Sequence, residues 1–452
     1  MIGTKHRCWA VAVLSIAAAA TAQETPRVTV LSEEDVYTFV SPDNGSGPLW
    51  SYGCTSIARL GDDVVVSQME TGEGVPLLCN TRWRLLRRTA GQWRLIDRAE
   101  AFRQREPCSL AITSATDLFL YANDSTQPPG TKYGPCKPHL LHFAFHGKEC
   151  QRTPIFPAWE GTPHFTDHSY RGYASDPGRG QLLMLNIDAE TSVQNACLLA
   201  AAGETLANGS ITFPIRACYP QVALNNGAVH VLAVGDIVEP VEAWRQYKYE
   251  QTGRKWDYVF RILYLAWTPN LTQQGFGKPL EIANVDPTGG HIANNDLWVS
   301  PGGTAYILYT EREVQSALLR DKFFPGKSIV NSLKLAIVKD GALLSTQVLV
   351  PGSPEQEPGN ARFHVTPDGC LYAVIDLRGP GGGNKLLRVY PPLENATLVP
   401  IPLQKPMGGF SLASQRAGNP PSYTIDLLGQ SAANTMSYAE IQIQPPARPD
   451  TS

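Results

Sequence analysis

The stretch Gly290–Glu311, GHIANNDLWVSPGGTAYILYTE, decides the fold. A polar start leads into Leu297-Trp298-Val299, a Ser-Pro-Gly-Gly turn follows, and Ala305 to Tyr309 runs apolar to a polar end. Gly302 and Gly303 tolerate positive φ, and the run after them is rich in side chains that pack well on a pleated surface. The unit reads as two antiparallel strands joined by a tight turn.

The same unit recurs six more times. Its copies are GCTSIARLGDDVVVSQME from Gly53, PCSLAITSATDLFLYAND from Pro107, DHSYRGYASDPGRGQLLMLNID from Asp167, ACYPQVALNNGAVHVLAVGD from Ala217, NARFHVTPDGCLYAVIDLRG from Asn360 and GGFSLASQRAGNPPSYTIDLLGQ from Gly408. Copies about 50 to 70 residues apart suit four-stranded propeller blades. The segments between them supply outer strands, such as Arg82–Leu86 with Trp93–Ile96 and Leu333–Val338 with Thr346–Val350. After the seventh copy only Tyr438–Gln444 remains, so the missing strand must come from Val28–Leu31 or Val36–Val40. The expected fold is all-β: a seven-bladed β-propeller of four-stranded antiparallel blades, its ring closed by an N-terminal strand. Only Val314–Arg320 has helical spacing.

Composition agrees. The chain has 452 residues, 43% hydrophobic and only 17% charged, with 39 Gly and 36 Pro to serve many short turns. A net charge of −3 gives no electrostatic footprint for nucleic acid or an anionic membrane. Lys5 and Arg7, the apolar run Trp9–Ala20 and the small residues Ala20-Thr21-Ala22 read as a secretory signal cut before Gln23. Residues 1–22 are thus a signal peptide and 23–452 a single propeller domain, expected to be monomeric and secreted or periplasmic. Eight cysteines remain after cleavage, an even number that fits disulfides in an exported chain. Cys136 with Cys150 and Cys197 with Cys218 are the local pairings to expect, while Cys54, Cys108 and Cys218 occupy matching repeat positions.

In a propeller, residues before each inner strand and after each second strand gather at one mouth. That geometry selects Ser56, His168, Tyr170, Arg171, His291, Asn294, Asp296, Arg362 and His364 at strand starts. At second-strand ends it selects Glu70, Asp124, Asp236, Glu311, Arg312, Asp376 and Arg378. Two long connections open there too, EAWRQYKYEQTGRKW after Asp236 and REVQSALLRDKFFPGKS after Glu311. In the first, Trp244, Tyr247 and Tyr249 stand among cations, a composition suited to sugar rings bearing carboxylate or sulfate.

No GxSxG, HExxH or phosphate-binding glycine loop occurs. The densest cluster is His164-Phe-Thr-Asp167-His168-Ser-Tyr170-Arg171-Gly-Tyr173. A His and a Tyr near an Arg meet the needs of β-elimination on a uronic acid: a cation neutralises the carboxylate, a base removes the C5 proton, and an acid protonates the leaving oxygen. Arg171 and Arg362 are cast as the carboxylate clamp, His168, Tyr170 and His291 as the proton-transfer groups, and His364, Asn294 and the loop aromatics as substrate contacts. The expected ligand is an acidic polysaccharide or oligosaccharide, and no cofactor is required. Glycoside hydrolysis through two of Asp167, Asp296, Glu311 and Asp376 is the competing chemistry. A non-catalytic binding propeller is the third reading. A metal held by His168, His291 and His364 is also conceivable.

The export signal, the sevenfold repeat and Gly290-His291-Ile-Ala-Asn294 ahead of SPGGTAYILY give a chain that resembles the BNR-repeat propellers of polysaccharide degradation, among them ulvan lyases and rhamnosidases. The resemblance implies elimination by a His and a Tyr with a neighbouring Arg, and a metal ion that stabilises the propeller. The SxDxGxxW box of sialidase-type propellers is missing, with VSPGGTAY and VTPDGCLY as remnants.

Overall fold

Each repeat copy folds as the inner hairpin of one sheet. The computed structural model describes residues 26–445 except 51–52, 132–133, 148, 169 and 394–395, so the signal segment 1–22 lies outside the described residues. Seven antiparallel four-stranded sheets follow one another as blades 1 to 7. Their inner strands are Ile57–Leu60, Ser109–Ile112, Gly172–Asp176, Ala217–Asn225, His291–Val299, Glu357–Val365 and Gly409–Leu412. In blade 4 the inner hairpin closes at Asn226 (φ 52°) and Gly227 (φ 84°), joining Asn225 to its partner Ala228. Two successive positive φ values define the turn that matches strand twist, which is why Asn-Gly stands there.

The ring closes as expected. Arg27–Thr38 pairs antiparallel with Thr435–Gln444 from Arg27↔Gln444 to Thr38↔Thr435, giving blade 7 its outermost strand. One strand covers most of both expected segments, with bulges between Val30 and Ser32 and between Asp35 and Tyr37. Without it, Thr435–Gln444 would be an open hydrogen-bonding edge.

Second strands are covered on both faces by neighbouring sheets, so they read as continuous apolar runs rather than alternating ones. All seven residues of Gln181–Ile187 are buried. Between sheets, Leu232, Leu265, Ile292, Ile307 and Ala336 pack together. Each such Leu or Ile contributes about 2 kcal/mol by leaving water.

Two helices interrupt the β pattern. Helix α1, Glu242–Thr252, and helix α2, Ala317–Phe323, lie in the two long mouth connections. Helix α2 overlaps the expected helical stretch Val314–Arg320 at Ala317–Arg320 and is capped by the Ser316 side chain, which accepts from the Leu319 N–H. Helix α1 was not foreseen; it ends at Gly253 (φ 66°), whose N–H donates to Tyr249 O.

The expected local pairs Cys136 with Cys150 and Cys197 with Cys218 do not form. Cys136 faces Ser125 while Cys150 faces Phe145, at opposite ends of a strand about 30 Å long. Cys197 sits inside blade 3 and Cys218 at the start of blade 4. Cys54, Cys108 and Cys218 are buried at matching strand starts, as their spacing implied.

Candidate functional site

The mouth is crossed by the segment 39–50, which leaves the closing strand. Asn44 Nδ2 anchors it by donating to Leu78 O (3.0 Å), Asn80 Oδ1 (2.9 Å) and Arg105 O (3.1 Å). Trp50 then lies edge-on to Tyr219, with ring centroids 5.9 Å apart. On one side of Trp50 is a small cleft with Tyr170 and Arg171; on the other is a groove of about 690 Å³.

The cleft holds a continuous polar relay. Glu106 Oε1 lies 3.1 Å from His168 Nδ1, His168 Nε2 lies 2.9 Å from Tyr170 OH, and Tyr170 OH donates to Asp236 Oδ2 at 2.9 Å. Arg216 ends the chain 3.1 Å from Asp236, with its guanidinium 5.1 Å from the Tyr170 ring centre. Burial acts to raise the Glu106 carboxyl, but the His168 hydrogen bond and the Arg171 charge outweigh it and leave it below its ordinary value. Proton counting then fixes one donor. A carboxylate only accepts, so the Tyr170 hydroxyl proton points to Asp236. Burial pushes the Tyr170 phenol far above its usual range, so it stays protonated. Tyr170 (φ 34°) and Tyr219 (φ 51°) both hold left-handed backbone that bulky residues avoid, a strain of about 1–3 kcal/mol each. Their rings meet edge to face at 5.1 Å.

The groove runs over blades 5, 6 and 7. It is lined by His291, Asn294, Arg312, Arg362 and Arg378, with Trp50 and Phe410 as apolar walls, and by no Asp or Glu among the described residues. Burial, then the charges of Arg312 and Arg261, lower His291 to about 4, so its imidazole is neutral at neutral pH. Its Nδ1 is sealed from solvent without a partner, leaving Nε2 as the nitrogen open to a ligand. Arg312 makes no hydrogen bond or ion pair among the described residues, and its Nε is also sealed. Burial depresses its guanidinium, opposed by the charge of Glu357. Arg362 Nη1 donates to Asn295 O, and Arg378 Nε donates to Asp376 Oδ2 at 3.2 Å.

Of the residues expected at one centre, His291, Asn294 and Arg362 line the groove, while His168 and Tyr170 lie at the adjacent cleft. Other residues play different parts. Arg171 is buried and turned inward, donating to Tyr121 O (3.1 Å) and Pro107 O (2.9 Å) and lying 3.6 Å from Glu106. His364 is two residues, about 7 Å, farther down its strand than Arg362, and its Nε2 bonds Ser422 O at 2.7 Å. His168, His291 and His364 therefore do not converge, and among the described residues no group of three or more metal-ligating side chains forms. Trp244 and Tyr247 pack on Phe324 and Phe323 of the other mouth loop at 5.2 and 5.5 Å. Tyr249 stays 48% exposed.

The carboxylates offered for hydrolysis are scattered. Asp296 pairs with Arg416 at 2.5 Å and accepts from the Phe363 N–H, Glu311 pairs with Lys334, and Asp167 faces Arg105 at 3.4 Å. Asp376, raised by burial against the pull of Arg378, stands behind Gly359 at the groove wall. A larger cavity of about 760 Å³ opens on the opposite face among turn prolines and Trp298, and Arg416, the one cation among its described lining residues, is already paired.

Reasoning from repeats missed Glu106 and Arg216, which stand one residue ahead of the copies read from Pro107 and Ala217. Extending each copy by one position would have found both.

No family model matches the chain, and no curated protein matches it. Among solved structures, a polysaccharide lyase described as an ulvan lyase superposes with a TM-score of 0.56 at 10% identity, over 91% of this chain and 95% of that one. An ulvan lyase structure bound to -[GlcA(1-4)Rha3S]- gives 0.57 at 10% identity, over 91% and 95%. An α-L-arabinofuranosidase of Fusarium graminearum gives 0.43 at 9% identity, over 91% and 98%. At these identities the likeness shows the fold. The chain is a seven-bladed β-propeller, an architecture it has in common with polysaccharide-degrading enzymes.

Proposed function

We propose that this propeller is an exported polysaccharide lyase that cleaves uronate-containing glycans by β-elimination in the groove. The observation that carries the reading is the pairing of a neutral, partner-poor His291 with Arg312, Arg362 and Arg378 in a groove free of lining carboxylates. A substrate carboxylate would sit on Arg312 and Arg362, which makes the C5 proton acidic by stabilising the developing carbanion. His291 takes that proton through Nε2, and the imidazolium returns it to the departing glycosidic oxygen. The C–O bond breaks as the C4–C5 double bond forms. The chain continues past Trp50 into the cleft, where Tyr170 and His168 bind the neighbouring sugar.

Hydrolysis fits less well, because it needs two carboxyl groups flanking the bond and the described residues of the groove lining offer none. The ulvan lyase fold supports carbohydrate chemistry on such a scaffold without choosing the glycan. The test is incubation with a panel of uronate polysaccharides, read by the ultraviolet absorbance of unsaturated uronate. Absorbance that grows with wild type and is lost in His291→Ala supports the reading. New reducing ends without absorbance would replace elimination with hydrolysis. Binding without products would leave a recognition module.

A further inference from the structure

The long connection of blade 4 carries an aromatic side chain that packing does not use. Trp256 is 76% exposed, more than any other large apolar side chain among the described residues. Its backbone is held all the same. Helix α1 stops at Gly253, whose left-handed conformation turns residues 254–257 away from the helix axis. Lys248 Nζ reaches from α1 to Glu239 Oε2 (2.8 Å) and Asp257 Oδ1 (2.7 Å), and the Glu239 N–H donates to Asp257 O at 2.9 Å. The residue next to Trp256 is thus clamped through both its side chain and its carbonyl. An indole in water on an ordered backbone is a ready platform, because a ligand that covers it has little loop entropy to overcome.

Trp256 is also joined to the cleft by an unbroken line of side chains. Its ring lies 4.4 Å from that of Tyr258 at an angle of 34°, the Arg216 guanidinium lies 5.8 Å from the Tyr258 ring, and the same guanidinium lies 5.1 Å from the Tyr170 ring. Asp236 holds Arg216 at 3.1 Å, yet the arginine remains partly open to solvent. Arg254 and Lys255 precede Trp256, exposed and outside every ion pair among the described residues. The acidic side chains nearest in sequence are engaged elsewhere: Glu242 with Arg245, Glu250 with Gln246 and Asp257 with Lys248. Positive charge at the tip is therefore not cancelled.

We propose that the loop tip Arg254-Lys255-Trp256 is a distal subsite for an acidic polysaccharide chain. The chain leaves the cleft over Arg216 and Tyr258, one sugar ring lays its C–H face on Trp256, and a carboxylate or sulfate lies against Arg254 and Lys255. This lengthens the substrate path of the proposed function and rests on the cleft being part of that path. Ring stacking beside a cation suits a charged sugar, and the line from Tyr170 to Trp256 suits a chain rather than a flat surface. A disaccharide seated in the cleft would not reach the tip, so affinity must grow with chain length.

The experiment measures binding of full-length protein to oligogalacturonates and oligoglucuronates of two and eight residues by titration calorimetry. Wild type should bind an octamer more tightly than its dimer. Trp256→Ala should weaken octamer binding roughly tenfold and leave dimer binding unchanged, while Trp256→Phe recovers most of the loss. Gln at both Arg254 and Lys255 should reduce the salt dependence of octamer binding. Trp256→Ala should melt as wild type does, since the ring is exposed. Equal octamer affinity in wild type and Trp256→Ala, or no binding of any octamer, overturns the subsite. Co-sedimentation with phosphatidylglycerol vesicles that is lost in Trp256→Ala, with octamer binding intact, replaces it with a lipid contact. Length-dependent binding without unsaturated products keeps the subsite and removes the lyase reading; elimination that proceeds equally on all lengths in both proteins does the reverse.

Discussion

The acid limb of the reaction is the sharpest consequence of the groove. Burial and two arginines hold His291 at about 4, so its base form is already nearly full well below neutral pH. An ordinary imidazole titrates near 6.5. At about pH 5.5 the neutral fraction is then roughly 97% for His291 as placed and roughly 9% for an unperturbed one, a tenfold difference in active base. The profile of kcat/KM should stay flat from neutral pH down to about 5 and fall only as pH approaches 4. Replacing Arg312 by Gln removes one of the two charges that depress the imidazole, so the limb of the residual activity should move upward.

Initial rates of unsaturated-uronate formation, taken at constant ionic strength from about pH 4 to 8, measure both limbs. Any unfolding at the acid end is checked by assaying at neutral pH after acid incubation. A limb near 6.5 in wild type would refute the neutral, enclosed base. So would a limb that does not move in Arg312→Gln, because the charge would then not act on the titrating group.

Tyr170→Phe removes the hydroxyl that links His168 to Asp236, and should cost about 1–3 kcal/mol of stability in denaturant melts while weakening substrate binding more than turnover. If that variant instead abolishes elimination while His291→Ala remains active, the proton-transfer role belongs to the cleft. His230 is lowered to about 4 by burial alone. The unfolded chain then binds more protons than the folded one between about pH 6.5 and 4, so stability rises with pH across that window and is lost as pH falls through it. His230→Gln should flatten this acid loss in melts between those values; equal slopes in both proteins would contradict it. Removing residues 23–38 deletes the closing strand and should give aggregating protein by light scattering, since Thr435–Gln444 becomes an unpaired edge.

The ring was legible because blade interiors write themselves plainly: Leu118–Ala122 and Leu371–Ile375 are apolar throughout, and glycine turns punctuate them. Helix α1 was not, since Glu242–Thr252 carries only Trp244, Tyr247 and Tyr249 as large apolar groups and none of its residues is buried. Its partner, α2, lies about 70 residues away, and no local pattern announces that contact. At the site, position along a strand predicted the mouth but not depth. Arg362 reaches the groove, while His364, on the same side of the pleat, lies below it among Asp296 and Phe363. A bulge between Asn294 and Asp296 shifts the register of blade 5, and Asn295 there accepts from Ala361 N–H and Arg362. Pairings such as Arg416 with Asp296, 120 residues apart, are products of ring closure and leave no trace in local sequence.

Several buried or half-buried arginines of this protein have carboxylates against them. Arg261 meets Glu239 and Asp286, Arg59 meets Asp426 and Glu440, and Arg416 meets Asp296. Arg312 has no such contact: Glu357 acts on it only through space, and its guanidinium is depressed by burial. A partly desolvated cation without a contact partner is a standing cost of a few kcal/mol, which a ligand anion would relieve. Arg312→Met keeps most of the side-chain volume and removes the charge, so the unliganded protein should gain about 1–2 kcal/mol in denaturant melts while kcat/KM falls at least a hundredfold. Acidic oligosaccharide should raise the Tm of wild type and leave that of the variant nearly unmoved. If Arg312→Met proves less stable than wild type without ligand, the arginine is part of the framework, and the groove loses the feature that marks it as a site for anions.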